Sequence, residues 1–326
     1  MIISRTPLRM SFAGGGSDFK GYYNQSTGSV ISTTIDKYVY VLVNKRFIDS
    51  IGVKYSQVEE SNDVNNIRHN LVREALKLLK IDGGVELVYS SDLLPAHHGS
   101  GLGASSSLLV GTLNALHAYK GEHVSAEQLA REACKIEIDI LGSPIGKQDQ
   151  YAAAYGGLNH IKFHPEDYVE VTPINLTSNV KKRLKQNLLI FYTGLDKKSE
   201  EILTEQKSKT QNNVGYLEQM VALSDELADN LKLQVLDKFG EILDTGWEFK
   251  KKLASKITNE LIDSYYLRAK NAGATGGKIL GSGGGGFLLL YCEQDQQEKV
   301  RRELADLKEL PFEFECQGSK IIYVGS

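Results

Sequence analysis

The chain has 326 residues and a formal net charge of −3, with 41% hydrophobic and 24% charged residues. That length accommodates two domains or one large one, and the composition is that of an ordinary globular protein. No basic surplus points to nucleic acid or an anionic membrane surface, and no run approaches the ~18 apolar residues that span a bilayer.

In chain order, the first ten residues read as an edge strand, followed by a glycine loop at 13–18 (AGGGSD). The opening MIISRTPLRMSF has too short an apolar run and too early an arginine for a signal peptide, so a cytoplasmic location is expected. Residues 37–46 are β-rich. Ser61 opens a predicted helix with Ile67, Leu71, Ala75, Leu78 and Leu79 on its apolar face, stopped near Gly83–Gly84. Residues 85–90 read as a strand that leads into PAHHGSGLGASSS (95–107) and a helix over about 104–120. Ser125 with Gln128 forms a capping box for a helix carrying Leu129, Ala133, Ile136 and Ile140. Residues 141–157 are a turn and a short helix ended by glycine, and 158–163 a strand. The pattern turns polar near 165–185, which sets a domain boundary: 1–175 and 176–326. Residues 187–193 read as a buried strand, and 198–272 as three or four helices. A second glycine cluster (276–286), the strand FLLLYC, a helix near 294–307 and two short strands finish the chain. Cys134, Cys292 and Cys316 are too few and too far apart for a disulfide framework or a zinc site, which favours a reducing compartment.

The segment 95–107 carries the chemistry. Gly99, Gly101, Gly103 and Ala104 run into Ser105, Ser106 and Ser107 at the start of a helix. Such a loop gathers free backbone N–H groups at the positive end of a helix dipole, which is an anion site. The loop lacks the Gly-Lys-[Ser/Thr] ending of a Walker A motif. It follows the dinucleotide spacing only if Ala104 replaces a glycine, and Glu122, about 20 residues on, follows a helix rather than a strand. Two further glycine clusters, Gly14–Gly16 and Gly281–Gly286, point to one shared ligand site or, for the second, to close approach of another segment.

Three segments together resemble the GHMP kinases: RTPLRMSFAGGGSD (5–18), PAHHGSGLGASSS and KILGSGGGGF (278–287). The resemblance implies an α+β protein of the GHMP kinase fold. Its N-terminal α/β domain would be like the second domain of ribosomal protein S5, and its C-terminal α+β domain would be ferredoxin-like, with the active site between them. It implies ATP and Mg²⁺ as cofactors. Gly99, Ser100, Gly101, Leu102, Gly103, Ala104, Ser105 and Ser106 are expected on ATP, Ser105 and Glu137 on Mg²⁺, and Gly283, Gly284 and Gly285 in the C-terminal motif. Asp149 (in GKQDQ) is the expected base, with Arg9 beside it. Asp18, Gly15, Gly16 and Lys147 are expected on the sugar. AGGGSD is the sugar-1-kinase version of the first motif, so the implied reaction is phosphorylation of an anomeric hydroxyl. A heptose 7-phosphate is the expected small-molecule substrate, made for activated-heptose and surface-glycan synthesis, with L-fucose the alternative. Candidates for the remote phosphate are Lys147, Lys197, Lys198, His97 and His98. From the residues alone, Glu137 also reads as a solvated helix charge and Arg9 as a surface strand charge. A silent nucleotide or sugar sensor and a nicotinamide-dependent oxidoreductase are the competing classes.

Overall fold

The computed structural model describes residues 1–93, 101–195 and 199–325. Strand β1 (Ile2–Ala13) is followed by the short helix α1 (Lys20–Tyr23) and the 18-residue strand β2 (Gly28–Lys45). A hairpin, β3 (Ile51–Lys54) and β4 (Val58–Ser61), precedes α2 (Asn70–Leu78), β5 (Val85–Ser91) and α3 (Ala104–Tyr119). Next come α4 (Ala126–Cys134), α5 (Gln148–Tyr155), β6 (Asn159–Phe163) and β7 (Val169–Pro173). The chain continues through α6 (Ser178–Gln186), β8 (Leu188–Tyr192), α7 (Ser199–Ser208), α8 (Val214–Lys232), α9 (Phe239–Lys252) and α10 (Glu260–Asn271). It closes with β9 (Gly276–Ile279), β10 (Phe287–Tyr291), α11 (Gln297–Glu303), β11 (Lys308–Glu309), β12 (Phe314–Glu315) and β13 (Lys320–Val324).

These strands form two sheets. The first runs β13-β1-β2-β5-β3-β4, with β6 and β12 also paired to β2 and β7 paired to β6. β2 is its spine: β1 lies along one side, and β6, β12 and β5 share the other. The second sheet is antiparallel, in the order β11-β8-β10-β9. One apolar cluster fills the first sheet and α2–α4, and another gathers around Trp247 in the second half. A third joins the halves: Leu8, Met10 and Phe12 of β1 pack with Phe239 and Ile242 of α9 and Leu289 of β10. The Phe12 and Phe239 rings meet edge to face at 5.1 Å, a favoured aromatic arrangement.

Three expectations change. β1 is interior, because β13 returns from the far end of the chain and pairs with Ile2–Arg5. Residues 314–324 therefore sit in the first sheet, although they fall within the expected second domain, 176–326. The helix expected from Ser61 starts at Asn70, because 58–61 pairs with β3 instead. Ile67 still reaches the core, 1% exposed, from extended backbone. After α4, whose Ser125 cap accepts from the Gln128 N–H, residues 135–140 widen into a π turn. The wider turn carries Ile140 out to 46% exposure and brings Glu137 inside at 3%. Such single-turn insertions are frequent at functional sites.

Candidate active site

A cavity of about 460 Å³ opens between the halves, lined by the start of α3, the π turn, the 141–145 turn, α7 and Gly281–Ser282. Arg9, Ile145, Asp149, Leu203, Gly281 and Ser282 also line a smaller chamber of about 70 Å³ that holds Gly16, Asp18 and Lys250. The two spaces meet at Arg9 and Asp149.

The larger space suits phosphate. No side chain caps α3, whose N-cap is Gly103, so its first-turn N–H groups face the cavity without an intrahelical partner. Gly103 has φ +74°, and a Cβ there would lie 3.1 Å from Arg9 Cγ and 3.3 Å from Asp149 Oδ2. Only glycine lets the loop approach that pair so closely. Leu102 is fully buried, and its carbonyl accepts from the Arg9 N–H at 2.9 Å. Gly99, Ser100, His97, His98, Lys197 and Lys198 lie outside the described residues.

Beside α3, Glu137 accepts from Ser106 Oγ at 2.7 Å and Gln150 Nε2 at 2.5 Å, both on Oε2. Its Oε1 meets only the exposed Ser105 hydroxyl, at 3.3 Å. Burial pushes the Glu137 carboxyl up to about 7, with the Asp149 charge adding and the three hydrogen bonds opposing. No Lys or Arg among the described residues pairs with it. A buried carboxylate without a cation among the described residues, next to an exposed hydroxyl, fits a hard divalent ion. Among the described residues no cluster of three or more His, Cys, Asp or Glu side chains is present, so such an ion would complete its shell from phosphate and water.

Arg9 and Asp149 are brought together from β1 and the first turn of α5. Arg9 Nε donates to Oδ1 at 2.7 Å and Nη2 to Oδ2 at 2.6 Å, a bidentate pair. Arg9 Nη1 donates to the Gly101 carbonyl at 2.6 Å and so ties the pair to the glycine loop. The Arg9 side chain is 4% exposed and that of Asp149 24%, which leaves the carboxylate reachable.

Asp18 lies deeper, 3% exposed, accepting from the Gly16 N–H at 2.9 Å and the Gln148 N–H at 3.2 Å. Burial raises its pKa above the usual range, against the pull of the Gly16 bond. Gly16 lines the same chamber, while the Gly15 carbonyl accepts from Lys250 Nζ at 3.4 Å.

One expectation is not met, and a second resolves to the close-approach one of its two readings. Lys147 gives Asp18 only its backbone, and its ammonium turns away to Asp167 at 2.9 Å, 4.9 Å from the centre of the Tyr23 ring. It lines a separate open cavity with Lys20, Tyr23 and Asp167. Gly283, Gly284 and Gly285 are occupied by the chain itself: a Cβ on them would meet Ile257 O at 2.7 Å, Ile202 Cδ1 at 2.6 Å and Leu195 O at 2.7 Å. Of this motif, Gly281 and Ser282 reach the cavity. Sequence reasoning missed Lys250, which ends a helix in a run of three lysines, and Gly146, whose missing side chain makes room for Asp18. Gln148 and Gln150 carried a usable signal, since they flank Asp149 in GKQDQ.

Comparison with known proteins identifies the fold and family. GHMP kinases N terminal domain matches residues 70–157 and GHMP kinases C terminal matches residues 227–309, together more than half of the chain. A D-glycero-alpha-D-manno-heptose 7-phosphate kinase of Campylobacter jejuni is 28% identical over 321 residues, covering 93% of each chain. A Bacteroides fragilis L-fucokinase/L-fucose-1-P guanylyltransferase is 26% identical over 92% of this chain and 35% of its own length. The crystal structure of a D-glycero-D-manno-heptose 1-phosphate kinase from Bacteroides thetaiotaomicron superposes with a TM-score of 0.81 over 100% of both chains, at 26% identity. With matched N- and C-terminal domains meeting at an uncapped helix start and a buried Arg–Asp pair, the chain belongs to the GHMP kinase family.

Proposed function

We propose that the protein transfers the γ-phosphoryl group of ATP to the C1 hydroxyl of D-glycero-α-D-manno-heptose 7-phosphate, giving the 1,7-bisphosphate for nucleotide-activated heptose and surface polysaccharide in the cytoplasm. The observation that carries this reading is the Arg9–Asp149 pair, set where a phosphate cavity meets a smaller chamber lined by Asp18 and Lys250. The relatives named above support the choice of a heptose phosphate.

ATP with Mg²⁺ supplies the phosphoryl group and spreads the charge that develops on it. The first-turn amides of α3, with Gly101, Gly103, Ala104, Ser105 and Ser106, hold the phosphates. Ser105 and Glu137 hold the cation. Asp18 accepts from ring hydroxyls in the small chamber. Asp149 accepts the C1 hydroxyl proton; a carboxylate suffices because a loose transition state needs little early deprotonation. Arg9 keeps Asp149 aimed through two parallel bonds and presents its charge to the transferring group.

The test is ADP release with heptose 7-phosphate, L-fucose, galactose, mannose and mevalonate, with Mg²⁺ and with EDTA. Turnover of heptose 7-phosphate, lost with EDTA and in a folded Asp149→Asn variant, is expected. Turnover of unphosphorylated fucose alone refutes the substrate, and ATP binding without turnover of any sugar refutes the enzyme.

A further inference from the structure

One buried group near the reacting atoms has no role in that mechanism. Lys250 lies in the last turn of α9 at 5% exposure, whereas Lys251 is half-buried and Lys252 exposed. Its ammonium carries three donors, yet among the described residues its one hydrogen bond is the 3.4 Å contact to the Gly15 carbonyl. No carboxylate lies within ion-pair distance of it among the described residues. Burial pushes its pKa down to about 8, opposed by the Asp18 charge. An ammonium held this way is destabilising unless a ligand completes it.

The surroundings of Lys250 are similarly incomplete. Around Gly15 and Gly16, the buried Ser11 Oγ, Gln148 Oε1 and both amide atoms of Gln206 have no hydrogen-bond partner among the described residues. Gln148 lines the chamber beside Asp18 and Lys250. Ser11 and Gln148 lie 3.6 Å from where a Gly15 Cβ would stand, and Gln206 lies 2.7 Å from that of Gly16. The chamber's charges are Arg9 and Lys250 against Asp18 and Asp149, which balance. A second phosphate here would face two carboxylates, whereas sugar hydroxyls accept from the ammonium and donate to Asp18.

We propose that Lys250 is an acceptor-binding residue, its ammonium and the Asp18 carboxylate together holding a ring hydroxyl of the sugar. One hydroxyl accepts from Lys250 and donates to Asp18, and the charged partners make both bonds strong. Lys250 belongs to the second half of the chain and Asp18 to the first, so the sugar ties the halves together at the reacting carbon.

This inference rests on the sugar-kinase reading of the same chamber. The test uses K250M, K250Q and K250R with heptose 7-phosphate, its ring-deoxy analogues and unphosphorylated heptose. In K250M the acceptor KM should rise 10- to 100-fold while the ATP KM stays within twofold, with K250R intermediate. One deoxy analogue should lose at least tenfold in wild type and little more in K250M. Removing a buried charge should not lower the melting temperature, and K250Q, which keeps a donor, checks that packing alone is not measured. An acceptor KM within threefold of wild type in folded K250M overturns the proposal. So does a loss confined to the phosphorylated acceptor, which would make Lys250 a phosphate ligand. If wild type ignores heptose 7-phosphate, the substrate reading fails by itself. The same comparison on the sugar it does accept then decides the role of Lys250.

Discussion

Gly146→Ala offers a sharp test of the sugar chamber, because the perturbation reaches Asp18 without altering any functional group. Gly146 lies in the turn before α5 and does not adopt a positive φ, so its backbone tolerates alanine. The new Cβ would fall 2.0 Å from Asp18 Oδ2 and 2.4 Å from Cγ. The carboxylate must retreat by about 1 Å, a displacement that costs roughly 10²-fold in rate when it misplaces a reacting group. Retreat also strains the bonds from the Gly16 and Gln148 N–H groups, each worth about 1.5–3 kcal/mol to a charged acceptor. A total near 3 kcal/mol corresponds to about a 10²-fold loss in acceptor kcat/KM. The assay is coupled ADP release with acceptor and ATP varied separately, alongside Asp18→Asn. Both variants should lose acceptor kcat/KM, with the ATP KM within twofold of wild type. A folded Gly146→Ala protein with acceptor kcat/KM within threefold of wild type would show that Asp18 does not position the sugar.

Two further outcomes follow from buried partners. Ser106→Ala removes the 2.7 Å bond that steadies Glu137, while Ser105 remains. The Mg²⁺ concentration for half-maximal activity should rise about tenfold, as when a metal ligand loses its orienting partner; an unchanged Mg²⁺ activation curve refutes the metal assignment. Lys278 is 5% exposed and donates to the Phe12 carbonyl at 3.3 Å, and burial pushes its pKa down to about 7, helped by the Lys250 and Arg9 charges. A lowered lysine pKa means that the unfolded chain binds more protons between about 7 and the ordinary 10.5, so this group adds stability as pH rises through that window. Its contribution is up to about 1.4 kcal/mol per pH unit. Urea unfolding at pH 7, 8 and 9 should find wild type gaining on Lys278→Met, and a constant difference refutes the burial argument.

What was legible in the sequence is local. The helix start at Ala104, the Ser125 cap and the glycine stop after Tyr155 are set by neighbours within a few residues, and each stands as read. The interior position of β1 was not legible, because residues 2–5 meet residues 320–324 only after the whole chain has folded. For the site, Arg9 and Asp149 were readable through motifs, but the bonds that join Arg9 to Asp149 and to the Gly101 carbonyl draw on three distant segments. Lys147 misled for the opposite reason: it sits in the right turn, and its side chain follows Tyr23 and Asp167 out of the chamber. Lys250 left no trace in the sequence because two more lysines, neither of them buried, follow it in the same helix.

The charge around the larger cavity gives the argument for a divalent cation independently of any motif. Among the described residues its lining holds one cation, Arg9, against the carboxylates of Glu137, Asp149 and Glu200. Arg9 is already committed to Asp149 through two bonds. The open start of α3 offers roughly half an elementary charge, far less than a triphosphate brings. On the proposed reading, polyphosphate bound next to these carboxylates would draw in a divalent cation, placed where a carboxylate lacks a cation among the described residues. Glu137 is that carboxylate: its Oε2 is filled by Ser106 and Gln150, and its Oε1 and the Ser105 hydroxyl face the phosphate space. The same ion would discharge Glu137 as a buried acid and neutralise the phosphates, so metal and nucleotide should bind with positive cooperativity.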